Sequence, residues 1–185
     1  MMDALMLILF GMILVICIMI GIYFTLYNKI QDYAIRINEV EMVIDNNLRE
    51  KYDQINKFVS AIKNNDKIKI EKNILEEIVK LKNKKISNFN LDRKLIEMNN
   101  YLDSLKEKNK TIKNNEEITE ISRKINDIDE LLLVNKEYYN RNIAEYNKLI
   151  KMFPTSIVAN ICKYEEKLFF DKKDMSDSDY NDFKL

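Results

Sequence analysis

Between Asp3 and Lys29 the chain runs for 25 residues, 4–28, without a charge. A bilayer core is spanned by about 20 apolar residues in a helix, which is the conformation that satisfies its own backbone polar groups in hydrocarbon. Residues 1–28 are therefore expected to form a transmembrane anchor, with Tyr23 and Tyr27 at the depth where interfacial aromatics sit. No Lys or Arg precedes the run and no small-x-small site closes it, so a retained anchor is expected rather than a cleaved signal. Val15 and Ile16 stand before Cys17 where a lipidation signal needs small residues, which argues against a lipid on that cysteine. Lys29, Arg36 and Arg49 follow the span, and the positive-inside rule then places the body in the cytoplasm, the N-terminus outside, of a single-pass membrane protein.

The next constraint is glycine. The only two, Gly11 and Gly21, lie inside the anchor, and beyond them the chain has one proline, Pro154. Phosphate-cradling loops need glycine for close backbone approach, and tight hairpins need it for positive φ. The body is expected to be all-α, and nucleotide-loop folds are set aside. Gly11 and Gly21 are ten apart, not four, so the span carries no small-xxx-small dimer motif. Histidine is absent, which removes the usual general base and the commonest metal ligand. Lys+Arg and Asp+Glu are both 30, a balance that argues against a nucleic-acid partner. Cys17 lies mid-span, so no disulfide with Cys162 is expected.

After the anchor, apolar residues recur at steps of three and four, as one buried helical stripe requires. Ile30, Tyr33, Ile37, Val40, Ile44, Leu48, Tyr52, Ile55, Val59 and Ile62 form the first stripe, and residues 64–66 give the first stop. A second helix is expected from Asp66 or Lys67, with Ile74, Ile78 and Leu81, a bend or break over 82–90, then Leu91, Leu95, Met98, Leu102 and Leu105. The polar stretch 106–115, with Ile112 alone among it, marks the next turn. The third stripe is Ile118, Ile121, Ile125, Ile128, Leu132, Asn135, Tyr139, Asn142, Tyr146, Leu149 and Phe153, a heptad seam in which Asn135 and Asn142 would set register or partner choice. Pro154 should end it, and a short helix should follow from Thr155 or Ser156, either of which could cap it, to about Tyr164. Three stripes of this kind predict an antiparallel bundle of three long helices and a short closing one over residues 29–170. Residues 168–170 read as an exposed apolar knot and 171–185 as a polar acidic tail, expected to be disordered.

Two Tyr-Asn pairs seven residues apart, Tyr139-Asn140 and Tyr146-Asn147, are followed by Phe153-Pro154, Val158-Ala159 and the aromatics Phe169 and Phe170. Together with Tyr27, Asn28, Lys29, Arg36, Glu39, Ile44, Asp45, Leu48, Asp53 and Val59 of the first helix, this pattern resembles the LemA family of bacterial membrane proteins, from the anchor to Phe170. The chain is a divergent member by this likeness: Glu41 replaces an aromatic, Asn56 replaces a proline, and the turn at 110–115 lacks its proline. The resemblance implies an N-terminal anchor, a long helical bundle and no established catalytic activity.

For the motif residues, core packing is the reading preferred over a groove for a partner segment. Tyr139 and Tyr146 would sit on the seam, Asn140 and Asn147 on one flank tying down the last turns, and Pro154 would turn the chain so that Ile157, Val158 and Ile161 close the bundle. Glu76-Glu77, Glu116-Glu117 with Glu120, and Glu165-Glu166 lie among lysines and read as solvated ion pairs rather than metal ligands. Asp177 and Asp179 lack the glycine and closing glutamate of a calcium loop. Cys162 has no histidine to activate it and reads as a small buried residue. No catalytic residue, cofactor, metal or small-molecule substrate is expected. The partners expected are the lipid bilayer and other proteins or further copies of the chain, with the tail, the 168–170 knot or a leftover seam face as contact surfaces. A scaffold or adaptor is the function this predicts, and a tethered regulator of one envelope enzyme or sensor is the alternative.

Overall fold

A computed structural model of the chain describes residues 2–63, 72–83 and 86–172. Its elements are α1 (Met2–Lys63), α2 (Lys72–Asn83), α3 (Asn88–Lys108), α4 (Lys110–Lys113), α5 (Glu116–Lys151), α6 (Thr155–Cys162) and a 3₁₀ turn (Phe170–Lys172). The expected all-α class is what forms, and no strand occurs among the described residues. The expected starts of the second helix at Asp66 or Lys67, and the tail from residue 173, lie outside the described residues.

The helix ends follow from local chemistry. Ser87 caps α3 by accepting from the Asn90 amide, and Asn115 caps α5 by accepting from the Ile118 amide at 3.1 Å. Glu116 and Glu117 in the first turn of α5, and Lys148 and Lys151 in its last, complement the helix dipole. α6 ends on Lys163 in the left-handed region, φ 55, where the Tyr164 amide reaches back to the Ala159 carbonyl at 2.9 Å. Glycine usually fills such a position, and this chain has none after Gly21.

The contacts divide the chain into two compact units, one of residues 1–39 with 140–168 and one of 40–139 with 169–185. In the first, the uncharged part of α1 exposes its apolar side chains, Leu5 through Ile22 and Phe24, all round. At about 25 cal/mol per Å² that surface is costly in water. α1 is the one helix among the described residues long and apolar enough to cross a membrane. Beyond it Ile30 and Ile37 are buried, as are Ile143, Tyr146, Leu149 and Ile150 of α5 and Thr155, Val158 and Ala159 of α6. In the second unit the expected stripe of α1 is buried from Val40 to Ile62 except at Tyr52, with Leu95, Met98 and Leu102 of α3 and Ile118, Ile121, Ile125, Ile128 and Leu132 of α5. α3 and α5 run antiparallel there, since Asp92 meets Lys136 while Lys106 meets Ser122.

Several expectations are corrected. The break expected over 82–90 is not among them: α2 stops at Asn83 and α3 starts at Asn88 under the Ser87 cap. Asn135 is only half-buried, its amide donating to the Leu131 carbonyl of its own helix at 2.8 Å, so it takes no place across the seam. Phe153 is 79% exposed: α5 ends at Lys151, and the seam's period ends with it. Neither Thr155 nor Ser156 caps α6; Thr155 is its first residue, and Pro154 holds the cap position without a side-chain bond. Ile157 and Ile161 face outward, leaving Val158 and Ala159 to pack. Phe170 is buried, not part of an exposed knot, although Leu168 is exposed. Cys162 is half-buried.

Candidate functional site

The motif residues fall in two places. In the first unit, Tyr146 is buried beneath the Lys167 ammonium, 5.8 Å over its ring. Burial raises its phenol above the ordinary tyrosine value. Asn147, on the outer flank, holds the main chain of Lys167 at both ends: its amide donates to the carbonyl at 2.8 Å and its oxygen accepts from the N–H at 2.9 Å. A segment outside any helix has its polar groups satisfied in this way. Val158 and Ala159 pack in the same unit; Phe153 and Pro154 stand exposed in the turn before α6. In the second unit Tyr139 is buried with its ring edge-on to Phe170 at 6.2 Å, and Phe89 meets Phe170 at the same centroid distance. Asn140 is half-buried. Of the eight motif residues, Tyr139, Tyr146, Val158 and Ala159 are buried and Asn147 ties down the chain, while Phe153 and Pro154 are exposed; the eight do not converge on one pocket.

What does converge is a set of charges that the motif reading passed over. Lys51 of α1 is 1% exposed, and its ammonium reaches Asp129 of α5 at 2.5 Å. Lys136, two turns along α5, reaches the buried Asp92 of α3 at 2.5 Å and lies 5.2 Å over the Phe170 ring. The four charges line a cleft of about 270 Å³ with Asn99, Asn100, Leu132 and the exposed Ile96 and Leu133. Asp103, nearby on α3, has its carboxyl raised above the usual aspartate value. Loss of solvation is the main cause, with repulsion from Glu107 and Asp129 adding and Lys106 and Lys51 opposing.

The sequence does hold a signal for these residues. Lys51 is three residues after Leu48 and four before Ile55; Lys136 is four after Leu132 and three before Tyr139. Both occupy steps that a buried stripe allows, beside the Tyr52 and Asn135 that apolarity or heptad regularity favours. Tyr52 is half-buried instead, its hydroxyl donating to the Ile78 carbonyl at 2.9 Å. A charge at such a step has to bring a counter-charge, and Asp92 and Asp129 are those partners.

Two ammonium–carboxylate pairs of zero net charge make a poor metal site, since each carboxylate already has its cation. Among the described residues no three His, Cys, Asp or Glu side chains gather as metal ligands. Of the weighed carboxylates, Glu120 pairs with Arg123 at 2.8 Å, which lowers its carboxyl, and Glu166 pairs with Lys151 at 2.7 Å. The Glu77 side chain, and Asp177 and Asp179, lie outside what is described.

The sequence model described as the LemA family matches residues 41–181 of the chain. Comparison with curated proteins and with solved structures returns no match.

Proposed function

The chain belongs to the LemA family, and on that footing we propose that it is a non-enzymatic scaffold or adaptor, anchored by 4–28, which holds protein partners or its own copies at the cytoplasmic face of a bacterial membrane. The observation that carries this is the cleft of the second unit, where the buried Lys51 and Asp92 pair with the more exposed Asp129 and Lys136 beside exposed Ile96 and Leu133. Apolar side chains around partly desolvated, paired charges are the composition of a protein-contact centre. Paired ammoniums are not poised to abstract a proton or attack a carbonyl.

In-cell cross-linking, solubilisation and capture on a C-terminal tag, followed by mass spectrometry, tests the reading. A ladder of this chain alone supports self-assembly, and a varied set of bound proteins supports an adaptor. Either pattern should weaken in Leu133→Lys, which puts a third ammonium at the rim. A single recurring enzyme or sensor whose activity changes on deletion would replace the scaffold by the tethered-regulator alternative. An unchanged pattern in Leu133→Lys would remove the cleft as the contact.

A further inference from the structure

Residues 152–162 contain no charge, and Lys151 and Lys163 bracket them. The stretch makes the turn after α5 and all of α6. Its inner side chains Thr155, Val158 and Ala159 are buried, yet Phe153 is 79%, Ile161 63%, Ile157 52% and Met152 50% exposed. Four large apolar side chains on so short a turn and helix make a poor surface in water. Packing within the unit leaves them outside it.

The position of α6 along α1 says what covers them. The Cys162 thiol and the Tyr23 hydroxyl share a hydrogen bond at 3.4 Å. Tyr164 follows, its ring 6.4 Å from that of Tyr27 and its hydroxyl accepting from the Gln31 amide. The C-terminal end of α6 is therefore level with residue 23, and the chain after it proceeds along α1 toward residue 31. Tyr23 lies inside the uncharged run, five residues before its end at Asn28. At 1.5 Å per residue that is about 8 Å short of the end. The 25-residue run is about 37 Å long against a hydrocarbon core of about 30 Å, so residue 23 belongs at the boundary of acyl chains and headgroups. Interfacial helices bury an apolar face at that depth, with Lys side chains reaching out from the edge.

We propose that the 152–162 turn and helix is a second membrane contact: α6 rests in the lipid interface beside the anchor, with Phe153, Ile157 and Ile161 in the acyl layer and Lys151 and Lys163 at the headgroups. The contact fixes the first unit against the bilayer, where a single span alone would leave it free to swivel. The proposal rests on the reading of 4–28 as a membrane span, and its occupant is lipid, not a second copy.

The chain has no tryptophan, so one can be placed without background. Full-length Phe153→Trp and, separately, Ile157→Trp are reconstituted in phosphatidylcholine vesicles brominated near the glycerol end or near the methyl end of the acyl chains. Leu14→Trp reports the anchor. The expected result is a loss of emission from Phe153→Trp and Ile157→Trp of the same order as from Leu14→Trp, strongest with shallow bromines for the first two and with deep bromines for the third. Leu14→Trp quenched while both others emit as in water, unquenched, overturns the proposal and leaves the anchor standing. Leu14→Trp unquenched by either lipid overturns anchor and proposal together. Blue-shifted, unquenched emission at 153 and 157 that reddens as protein is diluted into more lipid overturns it in favour of a second copy on the same face.

Discussion

Lys51 shows how one residue can set the terms for those around it. An ammonium 1% exposed is held by a carboxylate, Asp129, whose own side chain remains 39% exposed. Removing the carboxylate leaves the cation buried without a partner, a loss of about 3 kcal/mol at the lower end for such pairs because Asp129 borders on water. Urea denaturation of Asp129→Ala should show that loss, whereas Lys51→Met with Asp129→Leu should fall near the parent protein. A double variant as unstable as the single one would mean that the pair stabilises the fold outright. Asp103 offers a test of opposite sense. Its folded-state value is raised, so between the unfolded and folded values the native state binds more protons and stability falls as pH rises. The cost is absent below the unfolded value and complete above the folded one. Asp103→Asn, whose amide oxygen can still accept from Asn99 as the carboxylate does at 3.2 Å, should melt slightly higher than the parent at neutral pH and alike in acid, the difference kept small by the exposure of Asp103. Equal melting at neutral pH would place the carboxyl in ordinary solvation.

At the scale of elements, α5 carries most of the chain's information. Ile128 is 4% exposed in the middle of its stripe, so Ile128→Asp forces a charge without a partner into the core and should cost about 4 kcal/mol. Thermal melting by circular dichroism that stays unchanged would remove residues 118–149 from the packed core. The stripe itself was plain in the sequence, because burial on one face imposes steps of three and four. So were the break before α3, where apolar periodicity lapses, and the end of α5 near Pro154. What periodicity could not convey is which of two adjacent residues turns inward. Lys51 beside Tyr52 and Lys136 beside Asn135 were decided by counter-charges at Asp129 and Asp92, which lie 78 and 44 residues away in sequence. Phe153 was misplaced for a related reason. A period extrapolates smoothly, but a helix ends where its backbone bonds do, and the last one here is donated by Met152 to the Lys148 carbonyl. Tyr139 and Tyr146 lie buried on the stripe that periodicity marks, yet the grip of Asn147 on Lys167 depends on a non-helical segment that has no periodic signature.

At the scale of the whole molecule, orientation decides which compartment the cleft and α6 can meet. Lys29, Arg36 and Arg49 follow the proposed span within the first 21 residues after Asn28. Each Lys or Arg resists transfer across the bilayer, and charges within about 20 residues of a span govern its direction. These charges are what the proposed orientation rests on, with α1 beyond residue 28 and the later elements on the cytoplasmic side. A reporter that works only in the cytoplasm, fused after Leu185, should therefore be active, and one that works only outside should be silent. Substituting Lys29, Arg36 and Arg49 together by Gln should weaken or invert that result, since it removes the whole positive bias. Substituting surface lysines of α5 such as Lys124 should leave it alone, because they are too far from the span to act on insertion. An external reporter that is active in the parent chain would move the cleft to the outer face. Its partners would then be sought among envelope proteins, and α6 would lie against the outer leaflet beside the same residues of α1.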